Sequence, residues 1–158
     1  MKEKRIGIEI RILANLICRC LNELGFNEEH NGLTGPQGLV LGYLYDHQDK
    51  DIFQKDIENR YSMARSTTAT ILKLMEKKGY IRRIGVKEDA RLKKIVLTEK
   101  GVEMNRETEK IINYLEERLL RGISEEELEI FLCVLRRMKA NAQEDEKNYK
   151  TEERKEKG

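Results

Sequence analysis

The sequence has little of what β-rich folds and membrane proteins need. Its 158 residues include one proline, no tryptophan and 6% aromatic residues, a profile that suits amphipathic helices better than a β sandwich or barrel. No apolar run approaches the roughly 18 residues that a membrane span requires. The opening stretch MKEKRIGIEI carries charges among its apolar residues, unlike a signal peptide. We therefore expect a cytoplasmic protein of one domain, with or without helical extensions.

Cysteine and histidine are also scarce, with three and two residues respectively. An odd number of cysteines in an intracellular chain argues against a disulfide scaffold. Cys18 and Cys20 are separated by one residue and would point in different directions on a helix, unlike the ligands of a zinc site. We interpret the thiols as small hydrophobes packed in the protein. The sequence indicates no cofactor, and it shows no Ser-His-Asp set or Gly-rich phosphate loop that would indicate an enzyme.

Apolar spacing and capping residues predict the helices of the first half. The three-and-four spacing of apolar residues predicts a helix from Ile6 to Leu24. Thr34 and Gln37 form a capping box that predicts the start of a second helix. The segments QKDIENRY and ARSTTATILKLMEKKG are separated by only two residues, so the two helices must cross at a steep angle. This arrangement predicts a helix-turn-helix.

The second half begins with a predicted hairpin. YIRRI and LKKIVL, both rich in residues that favour strands, flank a charged loop from Gly85 to Arg91. Thr98 predicts the start of one long helix, and Ser124 with Glu127 predicts the start of another. The order is therefore three helices, a recognition-like helix, a β hairpin and two long helices.

Basic residues are concentrated in one segment, although the whole chain has a net charge of only +2. The range 62–97 contains ten basic and three acidic residues, which gives +7 there and leaves −5 elsewhere. Such a surplus on a helix and hairpin is the electrostatic footprint of a DNA-facing surface. The alternative is a solvated basic face that has no partner.

The start of the second helix of the predicted helix-turn-helix is hydroxyl-rich. Short hydroxyl side chains suit contact with phosphates and base edges because they let the backbone approach closely. The exposed side is expected to carry Arg65, Ser66, Thr67, Ala69 and Thr70, and the opposite side Thr68, Ile71, Leu72 and Met75. The alternative is a capped helix start whose threonines simply face solvent.

Four segments together resemble the MarR family of winged helix-turn-helix transcriptional regulators: LTGPQGLVLGYL, QKDIENRYSMARSTTATILKLMEKKGYIRR, EDARLKKIVLTEKG and ISEEELEIFLCVLRRM. The most specific part is Asp89-Ala90-Arg91 followed by a strand ending in LTEKG. The resemblance implies a mainly α fold with a small β wing. It implies a winged helix-turn-helix domain at 33–98, with dimerisation helices at 1–32 and 99–146 and a charged, frayed tail at 147–158.

The resemblance also implies a homodimer that binds a palindromic operator in double-stranded DNA. Asp89 would orient nearby basic groups, and Arg91 would enter the minor groove, where a narrow A·T tract concentrates negative potential. The residues facing the major groove would be Ser66, Thr67 and Thr70. The candidate phosphate contacts are Arg65, Lys73, Arg82, Arg83, Lys87 and Lys93.

Two positions depart from the family pattern. Ala64 and Phe53 stand where capping residues often open the two helices of the helix-turn-helix, and their lack of a capping oxygen is expected to weaken each helix start by about 1 kcal/mol. An apolar face on the last helix, made of Leu128, Phe131, Leu132, Leu135 and Met138, supports dimerisation independently of the family. Packing within one chain is the alternative.

By resemblance, the protein is expected to be a repressor released by a small aromatic or anionic ligand. Candidate ligand-binding residues are Arg11, Asn15, Cys18, Tyr43 and His47, for each of which ordinary packing is the alternative. A thiol-redox sensor of the same fold is a second possibility, although Cys18 and Cys20 do not match the family's reactive position, which lies nearer Ile8. A third is a winged-helix interaction module without DNA binding, which would present an apolar or acidic recognition face.

Overall fold

The structure is a computed structural model that describes residues 5–27, 29 and 32–156, with the backbone alone beyond residue 146. The described part is mainly helical and contains one two-stranded antiparallel sheet, which confirms the expected fold class. The chain divides into two compact units, Met1–Glu116 and Glu117–Gly158. In chain order the elements are α1 (Ile6–Glu23), α2 (Gly35–Asp46), α3 (Gln54–Tyr61), α4 (Arg65–Lys77), β1 (Ile81–Val86), β2 (Asp89–Leu97), α5 (Glu99–Leu119) and α6 (Glu125–Glu156).

Helix α1 is predicted correctly, but no residue along its length is buried. Leu24 is its C-cap residue, whose N–H donates to the Cys20 carbonyl, and Gly25 continues the chain with φ of 86°. The positive φ is the conformation for which glycine is favoured after a helix. Only Leu21 of this helix packs against the core, as a half-buried residue.

Helix α2 begins with the predicted capping box and supplies much of the core. Thr34 Oγ1 accepts from the Gln37 N–H at 3.4 Å, and Gln37 Oε1 accepts from the Thr34 N–H at 3.2 Å. The helix contributes three apolar side chains that are at most 3% exposed, namely Val40, Leu41 and Leu44. The capping box therefore fixes the start of the helix on which the core is built.

The helix-turn-helix forms where the sequence predicts it. Neither α3 nor α4 has a capping side chain at its N-cap position, but a side chain within α3 bonds back to the start of that helix. The turn between α3 and α4 contains Ser62 in the left-handed region, with φ of 51°. Phe53 has no capping oxygen, but its N–H donates to the Asp56 carboxylate at 2.8 Å. Ala64 has no capping side chain. Helix α4 is held in place by the residues that it buries against the core, which are Thr68, Ile71, Leu72 and Met75.

The hairpin is paired closer to its tip than predicted. Val86 pairs with Asp89, so only residues 87–88 lie between the strands, where the sequence predicted a loop from Gly85 to Arg91. The register shifts at this point: Gly85 pairs with Lys93, and residues 90–92 bulge from β2. The predicted loop is therefore too long: the structure has a two-residue turn followed by a bulge. The polar residues of this segment predict a loop, but their main chains still pair as strands.

The base of the hairpin is tied to the helices by main-chain bonds. The Ile95 N–H donates to the Ile52 carbonyl at 2.7 Å, which joins β2 to the segment before α3. Thr98 caps α5 by accepting from the Gly101 N–H at 3.0 Å, as predicted, and its hydroxyl donates to the Gly79 carbonyl. Thr98 follows β2 and bonds to Gly79, two residues before β1. The start of α5 and the base of the β1–β2 hairpin, which forms the wing, are therefore held by the same residue.

The second unit is dominated by α6, whose start shows the predicted Ser124–Glu127 capping box. The helix continues to Glu156, through most of the range 147–158 for which a frayed tail was expected; residues 157–158 lie outside the described part. Glu, Lys and Arg dominate this range and are good helix formers, which favours continued helix. Within the described residues, no helix combines the length and hydrophobicity needed to cross a membrane.

Candidate nucleic-acid interface

One face of α4 is exposed from its first residue onward. The exposed side chains are Arg65, Ser66, Thr67, Thr70 and Lys73. The opposite row is at most 7% exposed and holds the helix against the core. Burial of that row leaves the basic and hydroxyl groups facing solvent, as the helical period predicts.

The first turn of α4 is supported by a residue that the sequence reasoning missed. Gln54 Nε2 donates to Glu58 Oε1 at 2.9 Å and to the Arg65 carbonyl at 3.3 Å. The Gln54–Glu58 spacing of four residues is a helical side-chain pair that could have indicated this contact. In the second turn Thr70 Oγ1 donates to the Ser66 carbonyl at 3.0 Å, which leaves the Thr70 oxygen able to accept a hydrogen bond.

The wing carries its arginine in the bulge of β2. Asp89 Oδ1 accepts from the Arg91 N–H at 2.9 Å, so the carboxylate orients Arg91 through its main chain. Lys87, Arg91 and Lys93 are all exposed. The bulge thus presents Arg91 on a locally fixed backbone, since bulges redirect side chains.

Arg82 and Arg83, both expected to contact phosphates, lie on opposite faces of β1 because successive strand residues alternate. Arg82 is exposed. Arg83 turns toward α4, where its Nε and Nη2 atoms donate to Glu76 Oε2 at 3.0 and 2.6 Å. This bonding holds the pKa of the Glu76 carboxyl below its ordinary value. Arg83 is therefore committed to an internal ion pair, while Arg82 faces solvent.

Two further basic residues of the 62–97 segment are also engaged within the protein. Lys94 pairs with Asp51 at 3.0 Å. Lys78 Nζ donates to the Gly32 carbonyl at 2.6 Å and to Gln37 Oε1 at 3.3 Å. The remaining basic residues of the segment are all exposed: Arg65, Lys73, Lys77, Arg82, Lys87, Arg91 and Lys93.

A cleft of about 630 Å³ separates α3 and α4 from the wing. Its charged lining is mainly basic, with a single acidic residue, Glu58, and the basic residues Lys55, Arg65, Arg83, Arg91 and Lys93. Positive groups that converge on one concave surface raise the local concentration of anions. The surface formed by α4 and the wing is therefore suited to a polyanion.

The candidate effector residues fall into two separate groups. The rings of Tyr43 and His47 are 4.3 Å apart, and His47 Nδ1 lies 2.8 Å from the Tyr43 carbonyl. His47 also borders a cavity of about 130 Å³. Arg11, Asn15 and Cys18 are exposed on α1, and no hydrogen bond, ion pair or ring contact between described residues joins them to the α2 pair.

The three cysteines are free thiols. Cys18 and Cys133 are exposed and Cys20 is half-buried, so the expectation that they pack as small hydrophobes is wrong for Cys18 and Cys133 in the single chain. Cys18 lies on α1 and Cys133 on α6, and within one chain no other described element covers the faces on which these two residues lie.

Comparisons with known proteins agree with this geometry. The MarR family profile matches residues 31–92. YybA of Bacillus subtilis (strain 168), an uncharacterized HTH-type transcriptional regulator, is 25% identical over 130 residues, which cover 82% of this chain and 86% of YybA.

Two solved structures extend the comparison. In its DNA complex, S. aureus MepR is 28% identical, with a TM-score of 0.78 and coverage of 88% of this chain and 99% of MepR. The heme sensor protein PefR from Streptococcus agalactiae, in complex with heme, is 31% identical, with a TM-score of 0.58 and coverage of 89% of this chain and 95% of PefR.

An exposed basic helix beside a β wing defines the class of winged helix-turn-helix transcriptional regulators. Within that class, the chain belongs to the MarR family. Among its matches, YybA and SlyA are transcriptional regulators.

Proposed function

We propose that the protein is a homodimeric, sequence-specific transcriptional repressor that binds a palindromic DNA operator. The observation that carries this proposal is the row of exposed basic and hydroxyl side chains shared by α4 and the wing. Among its relatives, MepR is solved in complex with DNA. The reading domain is assigned to 33–98, between dimerisation segments at 1–32 and 99–146.

The dimer is supported by apolar faces that one chain leaves uncovered. On α1, Ile6 is 55% exposed and Ile8 is 49% exposed; on α6, Ile130 is 59% exposed and Phe131 is 53% exposed. Exposed apolar area of this extent marks an interaction surface, and a second copy supplies a matching one. A two-fold dimer reads half-sites about 34–36 Å apart, which is one turn of DNA.

We assign each exposed residue of α4 and the wing, which together form the reading surface, a DNA contact from its place on that surface. Ser66, Thr67 and Thr70, at the exposed start of α4, read the major groove. Arg91 enters the minor groove from the wing, on a backbone held by Asp89. The phosphate contacts are Arg65, Lys73, Arg82, Lys87 and Lys93.

The effector is proposed to be a small aromatic or anionic ligand whose binding releases DNA. Tyr43, His47 and Tyr61 form an aromatic group where the C-terminal ends of α2 and α3 meet, with 6.1 Å between the two tyrosine rings. PefR is a heme sensor, so heme is the first compound to titrate against the DNA complex. Benzoate is the second, as a simple compound that is both aromatic and anionic. A thiol sensor would instead release DNA on peroxide treatment, and Cys18→Ser or Cys133→Ser would abolish that response.

An interaction module without DNA binding is disfavoured by the charge of the recognition face. Such a module would present apolar or acidic groups. The exposed face of α4 carries Arg65, Lys73 and Lys77, with hydroxyl groups between them.

The test is the affinity of Arg91→Ala for a duplex selected from random sequences by the wild-type protein. The substitution should weaken binding by about 1–3 kcal/mol, measured by fluorescence anisotropy. Arg106→Ala, which removes an exposed arginine from α5, should leave the affinity unchanged. Equal affinity of Arg91→Ala and wild type would remove the wing from recognition. If the wild-type protein selects no duplex even at low salt, the whole proposal fails.

A further inference from the structure

A partly exposed ion pair joins the recognition helix to the wing. Glu76 lies next to the last residue of α4, and Arg83 lies in the middle of β1. Two guanidinium nitrogens of Arg83 converge on one carboxylate oxygen of Glu76, at 3.0 and 2.6 Å. The side chains are 39% exposed for Glu76 and 29% exposed for Arg83. Such a two-point contact restricts orientation more than a single charge contact does.

The pair lies beside the point where the hairpin is hydrogen-bonded to the rest of the domain. Arg83 lies opposite Ile95 in the hairpin, and the Ile95 N–H is bonded to the Ile52 carbonyl at 2.7 Å. The main-chain bond ties the wing to the segment before α3. Because that bond does not reach α4, the Glu76–Arg83 pair adds a direct polar contact between the wing and the recognition helix.

Lys93 of β2 adds a second positive charge on the same side of the hairpin. It lies on the same face of the hairpin as Arg83, since the register pairs it with Gly85, two residues further along β1. The positive charge of Lys93 also favours the ionised form of Glu76. One carboxylate thus faces basic groups from both strands of the wing.

We infer that the Glu76–Arg83 pair is a brace that sets the position of the wing relative to α4, so that Glu76 strengthens DNA binding. This inference rests on the proposed function. In it, Glu76 and Arg83 are positioning residues, and neither contacts DNA. The inference opposes simple electrostatics, because a negative charge on a DNA-facing surface repels phosphates and its removal should strengthen binding.

The first experiment asks whether removal of the Glu76 carboxylate weakens or strengthens DNA binding. Glu76→Ala should bind the selected duplex about three- to fivefold more weakly than wild type, the size typical of a partly exposed ion pair. The matched control is Glu88→Ala, which removes an exposed acidic residue from the turn of the wing without breaking the brace. This control should bind as tightly as wild type or more tightly. Stronger binding by Glu76→Ala would overturn the inference.

The second experiment separates a brace from a phosphate contact. In Arg83→Gln, the dependence of log affinity on log salt concentration should keep the wild-type slope, whereas loss of a phosphate contact reduces its magnitude by about 0.9. Arg82→Gln, on the exposed face of β1, should show that reduction. A reduced slope for Arg83→Gln would make Arg83 a DNA contact and overturn the brace.

Exchange of the two charges gives a rescue test. The double variant Glu76→Arg/Arg83→Glu should bind more tightly than Glu76→Arg alone, because the pair is restored. Electrostatics alone gives the opposite order, since Glu76→Arg has the higher positive charge. The wild-type measurement keeps the two proposals distinct: no binding by wild type contradicts the proposed function, while normal binding with the opposite order contradicts only the brace.

Discussion

At the scale of single residues, Gly101 shows how one missing side chain sets the distance between two elements. A Cβ atom at this position would overlap the carbonyl oxygen of Tyr80 and lie 3.1 Å from Leu97 Cδ2. The Tyr80 carbonyl is itself held, since it accepts from the Thr98 N–H at 3.1 Å. The glycine that ends the LTEKG segment therefore allows α5 to begin against the base of the wing.

Gly101→Ala should destabilise the protein by about 1–3 kcal/mol, the usual cost of forcing extra atoms into a packed site. The measurement is the free energy of unfolding from urea denaturation. Gly7→Ala is the matched control: a Cβ atom at Gly7 has no neighbour within 4 Å, and alanine is the better helix former. If Gly101→Ala is as stable as Gly7→Ala, close packing at Tyr80 does not explain the glycine.

At the scale of elements, the start of α6 depends on ionisation. Glu127 accepts from the Ser124 N–H at 2.8 Å, and the Glu127 N–H donates to Ser124 Oγ at 3.2 Å. Hydrogen bonding of the carboxylate to the main chain and side chain of Ser124 lowers the pKa of the Glu127 carboxyl in the folded protein. The folded state therefore binds the proton less tightly than the unfolded state.

The expected consequence is a loss of stability in acid. The contribution of Glu127 is fully present above its pKa in the unfolded chain, and it disappears as the pH falls through the lower folded value. In Glu127→Gln this part of the acid dependence should be absent when the free energy of unfolding is followed at fixed protein concentration. Glu129→Gln, an exposed neighbour on α6, should retain it. An unchanged acid profile for Glu127→Gln would contradict the role of the capping box.

At the scale of the assembled protein, the proposed dimer restricts the DNA sequences that can be bound. The uncovered faces of α1 and α6 would join the two chains, and each chain would contribute one reading surface. A rigid two-fold dimer presents two copies of α4 at a fixed separation, so the operator must repeat its half-site at that distance on one face of the duplex. The proposed dimer and the proposed operator symmetry are thus parts of a single hypothesis.

Insertion of about five base pairs between the half-sites should weaken binding at least tenfold, because half a turn places the second half-site on the opposite face of the duplex. The measurement is the affinity for the selected duplex, with sedimentation velocity used to show a dimer at the same protein concentration. A duplex with the same number of substituted, rather than inserted, central base pairs is the control. Equal affinity for the inserted and control duplexes would show that each chain binds independently.

The order of the elements can be read from the sequence alone, because the signals for each element lie within a few neighbouring residues. The Thr34–Gln37 and Ser124–Glu127 caps are examples, since both partners belong to the same turn. The concentration of basic residues in 62–97 was likewise readable, and so was the division of α4 into a buried and an exposed face.

Which basic groups face solvent depends instead on how the elements pack. Arg83, Lys94 and Lys78 find partners in other elements, and such pairings depend on how the chain packs rather than on local sequence. The exposure of Cys18 and Cys133 has the same cause, because burial of a helix face depends on which element covers it. Local spacing determines the face of an element on which a side chain lies, whereas packing determines what that face meets.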